Sequence, residues 1–303
     1  MKRLFGWRIL CSATLVSLVF LYALVSIFVV RGVAIIDRSE SNVNGPAYYN
    51  LPAKDVEFLS RNSGVNLRGW HITSPEKNHT IIFVHGFGGN RASASALDIG
   101  AGLWKNGFNV LLFDLRASGI SQGDMASGGY FEQDDLLGAF DFVRNTGVPS
   151  GNVGVIGFSM GAATAILGAS KEPGIKAVVS DGTYTSISDL IEQEVALATP
   201  MPAWIVPFFS PGISIMADFL YDIKIAEVVP ETGVSDIRYP ILLIHGTDDT
   251  RVPLEHSIRV HKTAPPGSIL WQVQGAGHVG SFNQKPNEYM TRIVGYFNTR
   301  FGL

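Results

Sequence analysis

Cysteine is nearly missing from this chain: Cys11 is the only one in 303 residues. That excludes a disulfide framework and a cysteine metal site. Charge is scarce too, at 16% of residues, and its placement is informative. Lys2, Arg3 and Arg8 precede every acidic residue; setting these 3 of the 23 basic residues apart leaves a body with 20 basic against 26 acidic. A body of net negative charge is a poor partner for nucleic acid. There is no H-E-x-x-H and no carboxylate cluster, and His256 and His261 are five apart, off a common helical face, so neither metal nor other cofactor is expected. No segment repeats at a solenoid period. Apolar residues are plentiful at 46%, enough for one large core or two modest ones.

The first apolar run is the longest. Ile9 to Val30 holds no charge over 22 residues, and as a helix it would span about 33 Å against a hydrocarbon core of about 30 Å. A cleaved signal peptide is the alternative, with small-residue spacing at Gly32-Val33-Ala34, but signal h-regions run only about 7 to 15 residues. The reading is therefore a cytoplasmic N-terminus over 1–8, a transmembrane signal-anchor over 9–30, a linker over 31–52 and a folded domain over 53–303. Lys2, Arg3 and Arg8 outweigh Arg31 and Arg38, which places the body on the non-cytoplasmic side. Arg38 to Pro52, rich in Ser, Asn, Gly and Pro, would let that body stand off from the membrane.

From Ala53 onward, short β-like runs alternate with helical ones. Val56 to Leu59 and Val65 to Ile72, separated by Asn62-Ser63-Gly64, read as an antiparallel edge hairpin. Thr80 to His85, Asn109 to Leu115, the run before Gly157, Lys176 to Ser180, Ile241 to His245 and Ile269 to Gln274 are compact apolar strands of the kind a doubly covered sheet requires. Helical stretches at Ala92 to Asn106, Phe131 to Asn145, Leu254 to Thr263 and Asn283 to Asn298 lie between or after them, which predicts a mostly parallel sheet. The rhythm breaks at Tyr184. About 184–238 carries a helix at Ser186 to Leu197 and a Pro- and aromatic-rich run at Pro200 to Pro211, and reads as an inserted cap.

The stretch Asn152 to Gly168, NVGVIGFSMGAATAILG, is strand, sharp turn and helix in close succession. Gly157-Phe158-Ser159-Met160-Gly161 has the G-x-S-x-G form of a nucleophile elbow. A serine at positive φ on such a turn leaves no room for side chains two residues before and after it, and the glycines supply that room. The Met160 N–H, at the first helical turn, would face a developing oxyanion. An activated serine also needs a base and a carboxylate to orient the base. Two later strands end in Gly246-Thr247-Asp248-Asp249-Thr250-Arg251-Val252-Pro253 and Gly275-Ala276-Gly277-His278-Val279, and strand ends of an open α/β sheet converge on one crevice.

On HGFGGN at His85 to Asn90, GFSMG, HGTDDTRVP and GAGH, with the order Ser159, Asp249, His278, the chain resembles the α/β-hydrolase superfamily. The likeness runs from about Asp55 to the C-terminus, and is greatest to membrane-anchored serine hydrolases of the serine aminopeptidase and monoacylglycerol-lipase-like branches. The resemblance implies an α/β-hydrolase fold with a helical cap, and acyl transfer to water from carboxylic esters (lipid or acyl esters, with thioesters as a further option). Ser159 would be the nucleophile, His278 the base and Asp249 the acid, with Asp248 as the alternative. The second oxyanion N–H would fall on Phe87, and no cofactor is implied. Peptide or amide hydrolysis on the same residues is the rival activity, and a catalytically silent, membrane-tethered interaction module is the rival from another class. FDLRASGISQG at Phe113 to Gly123 is similar to a family loop but has Ala117 where glycine is usual, so its path is expected to differ slightly, with Asp114 and Arg116 holding loops together.

The remaining candidates are weaker. Gly275 to Gly280 matches G-x-G-x-x-G but lacks a following strand and a later acidic residue, so no dinucleotide site is expected. His85 and His245 begin glycine turns and read as structural hydrogen-bonders. Asn78-His79-Thr80 is a glycosylation sequon, meaningful only in a eukaryotic secretory setting. In the cap, Trp204, Phe208 and Phe209 are candidate substrate contacts, alongside Phe219, Tyr221 and the prolines, in an apolar cluster expected over the crevice, which reads as ordinary packing of the cap, as an acyl-chain pocket or as a surface dipping into lipid. Oligomeric state is not legible.

Overall fold

Residues 2–35, 38, 45–76, 78–93, 95–198 and 202–303 are described by a computed structural model. The side chains of Lys2, Arg3 and Arg8, most of the expected linker (36, 37 and 39–44) and Pro200 lie outside that description.

The strands β1 (Ala53–Leu59), β2 (Asn66–Ile72), β3 (Thr80–Val84), β4 (Asn109–Phe113), β5 (Val153–Phe158), β6 (Ile175–Asp181), β7 (Leu242–Gly246) and β8 (Ile269–Val273) form one eight-stranded sheet. Its order is β1-β2-β4-β3-β5-β6-β7-β8. β1 pairs antiparallel with β2, with Leu59 opposite Asn66, and β2 pairs antiparallel with β4; the other pairs are parallel. The expected edge hairpin and parallel body are both present.

The central strands are buried on both faces because their side chains alternate between two cores. Ile82 and Val84 of β3 face a core shared with Leu136, Phe140 and Val143 of α3 (Glu132–Asn145) and with Ala165 and Ile166 of α4 (Met160–Lys171). Ile81 and Phe83 face the other core, with Leu97, Ile99 and Leu103 of α2 (Ala96–Lys105) and Tyr289, Ile293 and Phe297 of α10 (Pro286–Phe301). The remaining helices are α1 (Lys2–Ala34), α5 (Ile187–Ala198), α6 (Val206–Tyr221), α7 (Pro230–Gly233), α8 (Glu255–Thr263) and α9 (Ser281–Gln284). Between β6 and β7 lie α5 and α6, the two long helices of the segment expected to form a cap.

Two helix boundaries differ from the sequence expectation, each for a local reason. α2 begins at Ala96, not Ala92, because Asn90 and Ser93 close turns first: the Asn90 N–H donates to Ser93 Oγ (2.7 Å) and the Ala92 N–H to Asn90 Oδ1 (2.8 Å). The C-terminal helix is split at Lys285, since Pro286 has no N–H to continue α9 and instead opens α10 at its first position.

Within α1, Cys11–Ala34 is long and apolar enough to cross a membrane by length and composition. The helix extends four residues beyond the expected span, and its C-terminal part packs against α5 and α6. The Ala34 carbonyl accepts from the Ala126 N–H (2.9 Å), and Arg38 donates to the carbonyls of Gly119, Ser121 and Gly123. Arg38, at the head of the expected linker, is thus held against the body.

Candidate active site

The turn between β5 and α4 holds Ser159 at φ 54°, ψ −117°, a backbone that side chains seldom adopt. A Cβ on Gly157 would lie 2.1 Å from the Gly161 carbonyl oxygen, and one on Gly161 would lie 2.1 Å from that of Val84. The two glycines therefore let the turn close and let α4 sit against β3. The Ser159 N–H donates to the Asp181 carbonyl (2.9 Å), which fastens the turn to the end of β6.

Three side chains distant in sequence meet there. Ser159 Oγ lies 2.8 Å from His278 Nε2, and His278 Nδ1 lies 2.7 Å from Asp249 Oδ2. Asp249 Oδ1 accepts from the N–H groups of Arg251 (3.0 Å) and Val252 (2.8 Å), and His245 Nε2 stands 3.3 Å from Oδ2. Burial acts to raise the Asp249 carboxyl, but the bonds from His245, His278 and the Val252 N–H outweigh it and hold it well below the usual carboxylate range. An ionised Asp249 only accepts hydrogen bonds, so His278 Nδ1 carries the proton and Nε2 is the acceptor for the Ser159 hydroxyl. That arrangement can take a proton from serine. Val279, the next residue, sits at φ 46°, an outlier for a β-branched side chain, so both partners of the Ser159–His278 bond lie at or beside strained backbone.

Asp248 does not join this chain of bonds; Thr247 Oγ1 donates to its Oδ1 at 2.9 Å. His85 and His245 are structural. His85 Nε2 accepts from the Leu115 N–H (3.0 Å), which leaves Nδ1 to donate to the Gly86 carbonyl (2.8 Å), while His245 Nε2 donates to the Val252 carbonyl (2.7 Å) and Nδ1 meets Ser257 Oγ (2.6 Å). Asp114 accepts from the N–H groups of Arg91 (2.7 Å) and Ile120 (3.1 Å), and Arg116 forms a buried ion pair with Asp135 at 2.7 Å. Ala117, where glycine was expected, has the left-handed φ of 56° that a glycine would adopt. No group of His, Cys, Asp and Glu among the described residues is arranged to hold a metal.

Two cavities meet at Ser159. One, ≈ 830 Å³ counting its open mouth, runs from Phe87, Ser159 and Met160 under the cap and is lined by Ile191, Val195, Ile213, Ala217 and Ile223. The second, ≈ 680 Å³ on the same basis, has a more polar lining that includes His85, Asn90, Arg91, Ser93 and His278. Phe87, Ser159 and Arg251 border both.

Trp204, Phe208 and Phe209, the expected substrate contacts in the cap, border neither of these two cavities. On α6, Val206, Ile213 and Ala217 share the buried face, whereas Phe208, Ile215 and Phe219, with the same spacing, share the exposed one. Phe209 stacks on Tyr22 of α1. The sequence reading missed the residues that line the apolar cavity on its cap side, Val29, Val30, Val33 and Ala34 of α1 among them. It also passed over Arg251, whose place in the HGTDDTRVP motif was the one available signal.

A mostly parallel sheet with a serine on a strained strand-to-helix turn, faced by a histidine and a carboxylate from later strand ends, defines a known superfamily. The chain has the alpha/beta hydrolase fold, and residues 79–209 match the family model of that description. Among curated proteins it is 28% identical over 268 residues to the uncharacterized protein YfhR of Escherichia coli K12, covering 85% of this chain and 84% of that one. It is 27% identical to protein bem46 of Schizosaccharomyces pombe over 255 residues, 80% of this chain and 75% of that one. Among solved structures, the Pyrococcus furiosus esterase Pf2001 aligns with a TM-score of 0.70 at 28% identity, over 87% of this chain and 98% of that one.

Proposed function

We propose that this protein is a membrane-anchored serine hydrolase that cleaves carboxylic esters. Ser159 Oγ attacks the ester carbonyl carbon while His278 Nε2 takes the hydroxyl proton, and the resulting oxyanion is held by the N–H groups of Phe87 and Met160. The imidazolium, paired with the ionised Asp249, returns its proton to the departing alkoxide. Water then attacks the acyl-enzyme by the same route, and the acid leaves with Ser159 restored. No cofactor takes part in these steps.

The single observation that supports this most is the unbroken line of hydrogen bonds from Asp249 through His278 to Ser159 at the floor of an apolar cavity. The similarity to an esterase points the same way. The cavity favours an acyl ester over a peptide, whose polar backbone would be left unpaired along an apolar wall. The anchor is α1, with the N-terminus cytoplasmic and the body on the other side.

A fluorophosphonate probe labels the wild-type protein on Ser159, and Ser159→Ala abolishes labelling and lowers turnover of a p-nitrophenyl ester by about 10⁶. Retained turnover in Ser159→Ala removes the serine assignment; a folded wild-type protein that neither labels nor turns over is a silent module. Faster cleavage of aminoacyl amides than of esters shifts the reading to an amidase.

A further inference from the structure

The apolar cavity under the cap is not closed by the hydrolase body alone. Part of its wall is made by the last turns of α1, where Val29, Val30 and Val33 pack with Ile191 and Ile213 and line the same space as Ser159. Val29 is fully buried and Val30 nearly so, whereas Leu18, Phe20 and Phe28 of the same helix remain more than half exposed. Cap packing therefore divides α1 into a docked inner part and a bare outer part.

The docking is specific. Tyr22 Oη accepts from the Gly212 N–H (3.1 Å) and donates to the Phe208 carbonyl (3.0 Å), the two groups that an unbroken α6 would pair with each other just past Pro211. A Cβ on Gly212 would lie 2.4 Å from Ser26 Oγ and from the Tyr22 ring, so the helices meet where there is no side chain to hold them apart. Beside the bare part of α1, the cap exposes Trp204, Phe208 and Phe219 at 80%, 68% and 80% of their surface. Apolar exposure on that scale, continuous with a helix long enough to cross a bilayer, suits lipid as its neighbour.

We propose that the inner turns of α1 form one wall of the acyl-binding cavity, so that the helix tethering this protein also selects its substrate, a lipid-borne carboxylic ester with a long acyl chain. This rests on the ester-hydrolase reading above. The acyl chain lies between α1 and the cap with its carbonyl at Ser159, and the alcohol portion occupies the more polar cavity beside His278. Shrinking or enlarging the α1 wall then changes which chain lengths are cleaved.

The full-length protein is assayed in mixed micelles of nonionic detergent and phosphatidylcholine on p-nitrophenyl acetate, decanoate and palmitate. Val33→Trp, which fills the cavity from the α1 side, lowers the decanoate-to-acetate ratio of kcat/KM by about tenfold. Val30→Ala, which enlarges it, raises the palmitate-to-decanoate ratio severalfold, and Leu18→Ala on the bare face moves neither ratio. Loss of packing alone would shift both inner variants in one direction, so opposite shifts support the wall. A wild-type enzyme that cleaves these esters, with the ratios of both inner variants within about twofold of its own, overturns it. A wild-type protein that cleaves none of them and takes up no fluorophosphonate overturns the hydrolase reading instead, and this inference with it.

Discussion

Asp249 and Asp181 are both buried carboxyls at strand ends near His278, yet their surroundings push them in opposite directions. Asp249 is held ionised by the histidines and backbone N–H groups around it. Asp181 is pushed up to about 6 by burial, against the lowering influence of Tyr289 Oη (3.0 Å), His245, Ser281 and His278. A carboxyl raised in the folded state contributes stability below its unfolded value, near 4, and loses that contribution as pH rises through about 6. At neutral pH the buried Asp181 charge therefore costs roughly 3 kcal/mol relative to an unshifted group. Asp181→Asn removes the titration: urea unfolding at pH 5 and pH 8 should show the variant gaining on wild type at the higher pH by about 1.4 kcal/mol, the other half of the cost having set in below pH 5. Parallel pH dependence in the two proteins would mean that Asp181 is already ionised at pH 5.

Among the contacts between α1 and α6, one hydroxyl bridges a gap in the α6 hydrogen bonding. Pro211 has no N–H to donate within α6, and Tyr22 bridges the next donor, Gly212, to the Phe208 carbonyl. In Tyr22→Phe those two groups must pair with each other or find water, at a cost of about 1 kcal/mol. The loss is local, so hydrogen exchange across 206–221 should quicken severalfold while β3 and β5 keep their protection. Unchanged exchange in α6 would show that the helix holds its shape without the bridge. At this scale the sequence was read well where elements are short and strongly patterned. Thr80 to Val84 could only be a doubly buried strand, and Gly157 and Gly161 could only flank a tight turn. It was read poorly where a helix is apolar all round, because such a helix carries no polar stripe to mark which face meets the body. Trp204 and Phe208 were expected over the crevice for the same reason: an apolar segment shows that something is covered or lipid-facing, but not on which side.

For the molecule as a whole, the proposed orientation places the N-terminus in the cytoplasm and the sheet on the other side, with the exposed apolar surface of the cap and α1 at the lipid boundary. Protease added to intact cells stripped of any outer envelope should remove an epitope tag placed after Leu303 and spare one placed before Met1; the reverse pattern would invert the topology. The turns that carry Ser159, Asp249 and His278 were legible from local chemistry, since strand alternation, glycine turns and capping depend on residues a few positions apart, whereas the choice of Asp249 over Asp248 rested on the family resemblance. The meeting of Ser159 with His278 across 119 residues was legible only because parallel strands deliver their C-terminal ends to one edge. The inward fold of α1 onto the cap left no such trace. Tyr22 and Gly212 stand 190 residues apart, and neither belongs to a motif. That contact follows from shape, with a glycine on one helix and a phenol on the other, and shape complementarity between distant segments exists only once the chain has packed.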